Sequence, residues 1–406
     1  MLDVNPFVYS HPVSPEDIID RDEETETLLR SAAGGHYVRL FAPRKYGKTS
    51  LLRRVLGEGE RRESMIPILV DLYRISSISD VAIRFERAYS KQLKGALRAK
   101  IEDFLQKTGI GLSLGAYGIS AKLQLGATID PLPALHALLD LPLRLEAGRG
   151  YRALIAIDEF QDVHKVPDLD GLIRSHIQYQ GEVASYVFAG SEPGMMKQLF
   201  EHKDRPLYGS AVPMRLGRLD RDQIAEYVSG RFQATGRATG EALGPLLDAA
   251  DGHPQRAMLL AHRLWEATRR GATADLDVWR TAHAAALAEL EPEFDAQWRG
   301  FDSSEQKTMR AVIAGDGSPY RQYVLKRLDL SKDMVRKALP RLSATAEIET
   351  IEGKHHVVDP LFAQWIERVN EGRIAPDAEP IAPPQDETVD SLGRGGHDYL
   401  HQQEHQ

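Results

Sequence analysis

The predicted class is α/β, a parallel sheet flanked by helices, and three features of the chain point to it. The short apolar run Tyr37–Phe41 gives way to a tight turn and then to Gly47, Lys48 and Thr49 at the head of a helical pattern. The run Ala153–Ile157 is apolar without interruption and ends on two acids, Asp158 and Glu159, as a central parallel strand buried on both faces would. Further short apolar runs at Ile66–Val70, Ala184–Ala189 and Val212–Leu216 alternate with helical stretches, the order of βα units.

The first strand comprises Val38, Leu40 and Phe41, and the helix after the turn places Leu51, Leu52, Val55 and Leu56 on one face. A chain that reverses between such a strand and helix aims backbone N–H groups at one spot, where the helix dipole adds partial positive charge. A polyphosphate fits there. The expected cradle is Ala42, Pro43, Arg44, Lys45, Tyr46, Gly47, Lys48, Thr49 and Ser50. Lys48 would reach the β- and γ-phosphates, and the Thr49 hydroxyl would ligate Mg²⁺. The G-x-x-x-x-G-K-[ST] pattern is broken at its first position, where Ala42 stands for glycine and restricts the backbone. An ordinary strand–turn–helix with a surface lysine would read the same way.

The acidic strand separates these readings. Asp158 would hold Mg²⁺ through its water shell, and Glu159 would orient and deprotonate the attacking water. Acids after strands are common on their own, but joined to Gly47, Lys48 and Thr49 they point to an ATPase site with Mg²⁺, the choice of ATP over GTP being one that no residue here makes and that only a family resemblance implies.

Composition narrows the setting. At 406 residues the chain can hold two or three domains. Lys and Arg number 51 against 59 Asp and Glu, a net charge of −8, so no global positive field attracts nucleic acid. Cysteine is absent, which excludes disulfides, thiolate zinc and cysteine nucleophiles and agrees with a reducing cytoplasm. The beginning, from Met1 to Pro6, has neither a basic region nor an apolar core, and no apolar run reaches the ~18 residues of a membrane span. A cytoplasmic protein without membrane contact is expected.

In chain order, Asp20–Glu24 heads an amphipathic helix through Leu28 and Leu29, with Pro6, Phe7 and Val8 before it as either an apolar rest for adenine or simple packing. Asp71 closes the second strand and reads as a turn residue more readily than as a site acid. A polar-faced helix over about 80–108 precedes a stretch of alternating small and apolar residues, an inserted hairpin near 109–127. A helix over Leu132–Leu145 leads to the acidic strand. Ser191, after the fourth strand, is placed either to hydrogen-bond the γ-phosphate or water, or to form a plain turn. Beyond Asp220, which has capping-box spacing to Gln223, helices cover Leu243–Ala250 and the stretch from Pro254 through Trp265. Arg256, in the first turn of the latter, reads either as a γ-phosphate contact or as a solvent-exposed arginine.

From about 300, helices at Asp302–Ile313, Arg321–Leu328 and Ser331–Leu342, the last interrupted by Pro340, precede a hairpin over Glu347–Val358. This is the order of a winged helix. Lys332, Arg336, Lys337 and Arg341 lie on or near the outer side of the third helix, yet residues 301–370 carry 11 basic and 10 acidic side chains. DNA contact is possible and not favoured; a protein partner or self-association is expected. Residues 373–406 hold two arginines against seven acids, a flexible acidic tail.

With these residues in place, the chain resembles the archaeal-type ATPases, a branch of the P-loop NTPases related to AAA+ and to the signal-transducing STAND enzymes. The resemblance spans about residues 5–370 and rests on the loop from Ala42 to Ser50, Asp158–Glu159, Pro206–Gly209, Gly252–Pro254, and Val357–Phe362 with Trp365. Ser210 stands where an arginine would follow Tyr208 and Gly209, which leaves a γ-phosphate-sensing arginine there unsupported. The resemblance implies strand order 5-1-4-3-2 and an ATPase core over 1–218, a helical lid over 219–298 and a winged helix over 299–372. A regulatory or signalling ATPase follows as the expectation, with a nucleotide-bound scaffold of negligible turnover as the alternative.

Overall fold

The computed structural model describes residues 4–95, 98–99, 101–103, 130–149 and 151–371. The hairpin expected near 109–127 and the tail 373–406 lie outside the described residues. Five strands, β1 (Val38–Phe41), β2 (Ile66–Asp71), β3 (Ala153–Asp158), β4 (Ala184–Gly190) and β5 (Val212–Arg215), form one sheet in the order β2-β3-β4-β1-β5, and every neighbouring pair is parallel. Read from the other edge this is the 5-1-4-3-2 order. β3 and β4 are buried along their whole length because helices cover both faces. Side chains alternate across the sheet: Ile155, Ile157, Tyr186 and Phe188 pack toward the helices Ile78–Gln92, Pro131–Leu139, Leu169–Ile177 and Pro193–Glu201. Leu154, Ala156, Val187 and Ala189 pack toward Asp22–Ala33 and Lys48–Glu63. Among the described residues β5 pairs only with β1, and it carries Pro213, a residue that edge strands tolerate.

The helix expected over Leu132–Leu145 is two helices, Pro131–Leu139 and Leu141–Arg149. Pro142 has no N–H to continue a helical ladder, which explains the break. The helix expected over about 80–108 runs from Ile78 to Gln92, with the Ser77 hydroxyl accepting from Asp80 N–H at its start. After the sheet, Arg221–Ala234 begins where the Asp220 carboxylate accepts from Asp222 and Gln223 N–H at 2.9 and 3.1 Å. Leu243–Ala250 and Pro254–Ala267 follow, and then a 25-residue helix, Leu276–Gly300, beyond those expected.

The C-terminal segment contains Ser303–Ala314, Gln322–Arg327, Lys332–Ala344, the antiparallel pair β6 (Ile348–Ile351) and β7 (Lys354–Val357), and the helix Pro360–Glu371. Asp302 and Glu305 form a reciprocal capping box. Pro340 does not interrupt its helix, which continues to Ala344 with Val335, Ala338, Leu339 and Leu342 buried. Their burial outweighs the one hydrogen bond that proline cannot donate. Phe294 and Trp298 of the long helix meet Phe362 and Trp365 of the last one, joining the segment to the helices before it. Gly194 lies so close to Ala344 that a Cβ on it would stand 2.6 Å from the Ala344 Cβ, so the helix Lys332–Ala344 packs directly on the sheet-flanking helix Pro193–Glu201. Among the described residues no helix is long and apolar enough to cross a membrane.

Candidate active site

The C-terminal ends of β1, β3 and β4 converge on one place. Ala42 is fully buried there and its N–H donates to Gly190 O at 3.2 Å; its φ is not positive, so the start of the loop does not need glycine. The loop then turns through Lys45 (φ 67°) and Gly47 (φ 83°), and the helix starts at Lys48. Glycine at 47 serves the left-handed backbone alone, since a Cβ there would meet nothing within 4 Å. Lys48, buried, pairs through Nζ with Asp158 Oδ1 and lies 3.2 Å from Glu159 Oε1; the Thr49 hydroxyl donates to Asp158 Oδ2 at 2.6 Å. The two motifs read from the sequence therefore form one cluster.

Glu159 has φ 51°, an uncommon conformation for a non-glycine residue and one often found where function demands it. Its N–H donates to Asp158 Oδ1 at 2.9 Å, and its Oε2 accepts from Ser191 Oγ at 2.8 Å and from Gln161 Nε2 at 2.5 Å. Burial alone would raise its pKa, but the Lys48 charge and the hydrogen bonds from Gln161 and Ser191 outweigh burial and hold it below the usual glutamate value. Glu159 is thus an ionised carboxylate fixed at both oxygens.

Gln161, two residues after Glu159, has no role in the sequence motifs, and the structure gives it a position. It is buried, donates to Glu159 and accepts from Ser191 N–H at 3.2 Å, so it ties the end of β3 to the end of β4. Gly190 makes room: a Cβ there would lie 2.7 Å from Gln161 Oε1. An amide two residues after a paired acid, opposite a glycine–serine step, was the available signal.

These groups open onto a cavity of about 660 Å³. The phosphate loop forms one wall, and Val8, Val13, Ile18, Ile19, Leu219 and Met258 supply apolar surface. Thr49 and Asp158 offer hard oxygen donors of the kind Mg²⁺ takes, beside a buried ammonium and a helix N-terminus suited to phosphate. The donor set fits a magnesium–nucleotide complex.

Arg256 is not brought to this cluster. It is 1 % exposed, and its Nε lies 3.0 and 2.9 Å from the two Asp359 carboxylate oxygens, with a further bond from Nη2. Both sequence readings, phosphate contact and exposed arginine, give way to a buried pair, because a guanidinium taken out of water goes to the nearest carboxylate. Phe7 is likewise core, packed on Phe232 and Tyr227 at 5.6 and 6.4 Å between ring centres, while Val8 lines the cavity. Asp71 accepts from Tyr73 N–H at 2.8 Å and serves its turn.

Tyr46, within the loop, lines the cavity and also reaches the C-terminal segment. Its hydroxyl donates to Glu349 Oε1 of β6 at 2.9 Å, a carboxylate that also receives Arg215 at 2.7 Å and Arg218 at 2.8 Å. The His253 ring stands edge-on to Tyr46 at 4.9 Å, and complete burial lowers its pKa to about 3. Lys45 pairs with Glu293 of the long helix at 2.6 Å.

Sheet order and site geometry define a P-loop NTPase fold, and comparison with solved structures agrees. A Walker-type ATPase of Pyrococcus abyssi superposes with a TM-score of 0.64 at 18% identity, over 90% of this chain and 100% of that one. The ORC2 protein of Aeropyrum pernix, solved as ADPNP–ADP complexes, gives a TM-score of 0.55 at 15% identity over 90% and 98% of the two chains, and its ADP form 0.52 at 14%. At such identities the likeness is one of fold, and it accords with the resemblance to archaeal-type ATPases. No protein-family profile matches the sequence, and no curated protein matches it either.

Proposed function

We propose that the chain is an Mg²⁺-dependent ATPase of regulatory or signalling type, in which hydrolysis changes how the phosphate loop engages the C-terminal segment. The observation that carries the proposal is the meeting of Lys48, Thr49, Asp158 and Glu159 at one end of the cavity. Lys48 binds the β- and γ-phosphates, exchanging its carboxylate partners for phosphate oxygens. Glu159, already ionised, orients a water and takes its proton as the water attacks. Ser191 and Gln161 hold the Glu159 carboxylate in place until then. Bound Mg²⁺, held by Thr49 and by Asp158 through water, would neutralise phosphate charge at this point.

In this reading residues 1–218 are the ATPase core, 219–298 a helical lid and 299–372 a winged helix, and the protein works in the cytoplasm with a protein partner or further copies of itself. The link from Tyr46 to Glu349 supports coupling, since any shift of the loop on phosphate binding is felt directly at β6. DNA is the less favoured partner: Arg336 is paired with Asp333 at 2.8 Å and Arg341 with Asp302 at 2.9 Å, leaving few free cations on that helix for phosphates.

The competing role is a scaffold that keeps its nucleotide, favoured by the capture of both Glu159 oxygens. Phosphate release by the full chain, with and without added DNA or partner extracts, separates the two when set beside Lys48→Ala. Turnover above that background supports the enzyme; none under any addition supports the scaffold.

A further inference from the structure

Charge stabilisation of a transferring terminal phosphate usually needs a guanidinium in addition to the loop lysine. Neither arginine position nominated by the sequence supplies one: Arg256 is buried against Asp359, and Ser210 stands at the other. The cations that line the cavity are mostly engaged. Arg21 binds Glu24 and Gly217 O, Arg44 lies 3.6 Å from Glu192, Lys45 binds Glu293 and Lys165 binds Asp162 at 2.8 Å. Among the described residues, Arg74 is the cavity-lining arginine without a carboxylate partner; its guanidinium rests over the Tyr73 ring, 5.1 Å from the centre.

The backbone that carries Arg74 is fixed beside the catalytic acids. Asp71 ends β2 in register with Asp158, and Leu72 N–H donates to Asp158 O at 3.0 Å. Arg74 N–H donates to Asp162 Oδ2 at 2.6 Å, three residues after Glu159, and Asp162 N–H returns to Glu159 O at 3.0 Å. Arg84 clamps the turn from outside through Asp71 O and Tyr73 O at 2.9 and 2.8 Å. Arg74 also adopts φ 55°, a conformation that costs energy for a side chain with a Cβ and that this clamp imposes. A fixed backbone on the cavity wall, carrying a guanidinium with no carboxylate partner, is an arrangement that can present positive charge to the cavity.

We infer that Arg74 is the chain's own γ-phosphate contact, supplied in cis from the end of β2. This rests on the ATPase reading for its ligand but is tested apart from it. Affinities of the full-length protein for ADP and for the non-hydrolysable ADPNP are measured in wild type, Arg74→Ala and Arg74→Lys, with phosphate release alongside. Arg74→Ala should keep ADP affinity, lose most of the preference for ADPNP over ADP, and lower kcat by at least about ten-fold. Arg74→Lys should recover part of the preference. Unchanged ADP affinity shows that the variant is folded. An unaltered ADPNP-to-ADP ratio in Arg74→Ala overturns the inference, whatever the turnover. Absence of wild-type turnover over Lys48→Ala overturns the hydrolytic reading and leaves the binding comparison decisive for Arg74.

Discussion

Arg256 and Asp359 form a pair whose disruption separates folding from chemistry. The guanidinium is 1 % exposed and the Asp359 side chain 17 %, so Arg256→Met strands a carboxylate in a place that water barely reaches. Breaking one side of such a pair costs about 3–5 kcal/mol, whereas replacing both sides by apolar residues is often close to neutral. Denaturant unfolding should therefore show a large loss for Arg256→Met and substantial recovery for Arg256→Met with Asp359→Leu. Equal stability of wild type and the single variant would refute the structural role. At this scale the sequence was informative where chemistry depends on adjacent residues, as at Gly47–Thr49 and Asp158–Glu159. It was ambiguous for Arg256, whose partner lies 103 positions away, and silent on Gln161, whose role appears only once β3 and β4 are side by side.

The helix that opens at Pro254 places a titratable group against the phosphate loop. His253 accepts from Arg256 N–H as its cap, and burial holds the imidazole neutral with a pKa of about 3 against an ordinary 6.5. Between those values the unfolded chain binds the proton and the folded chain does not, so this contribution to stability is complete above pH 6.5 and falls as the pH drops. Asn can still cap a helix but does not titrate. The unfolding midpoint of wild type should fall more between pH 7.5 and 5 than that of His253→Asn; parallel falls would contradict the assignment. Elements with a clear period or a cap were legible, among them Leu243–Ala250 and the Asp302–Glu305 box. Breaks and continuations set by tertiary packing were not: Pro142 splits a helix and Pro340 does not, and only the surroundings distinguish them. The long helix Leu276–Gly300 was not legible because its many alanines blur the apolar stripe that Trp279, Leu287, Leu290 and Trp298 define.

Across the whole molecule, the phosphate loop touches both the acids of the candidate site and later parts of the chain. Lys48 and Thr49 face the acids of β3, while Lys45 and Tyr46 reach Glu293 and Glu349 on later parts of the chain. The strand order followed from the resemblance to a known ATPase family, and the C-terminal helices and hairpin could be read from the residues themselves. The contacts between them could not, because Tyr46 and Glu349 carry no local pattern that pairs them. The central claim is that this cluster hydrolyses ATP with Glu159 as base, and the most direct measurement is ATP affinity together with phosphate release for wild type and Glu159→Gln. The account predicts that the variant binds ATP as well as wild type and releases phosphate no faster than Lys48→Ala, since the cradle survives and the base is gone. Equal phosphate release by wild type and Glu159→Gln would contradict it.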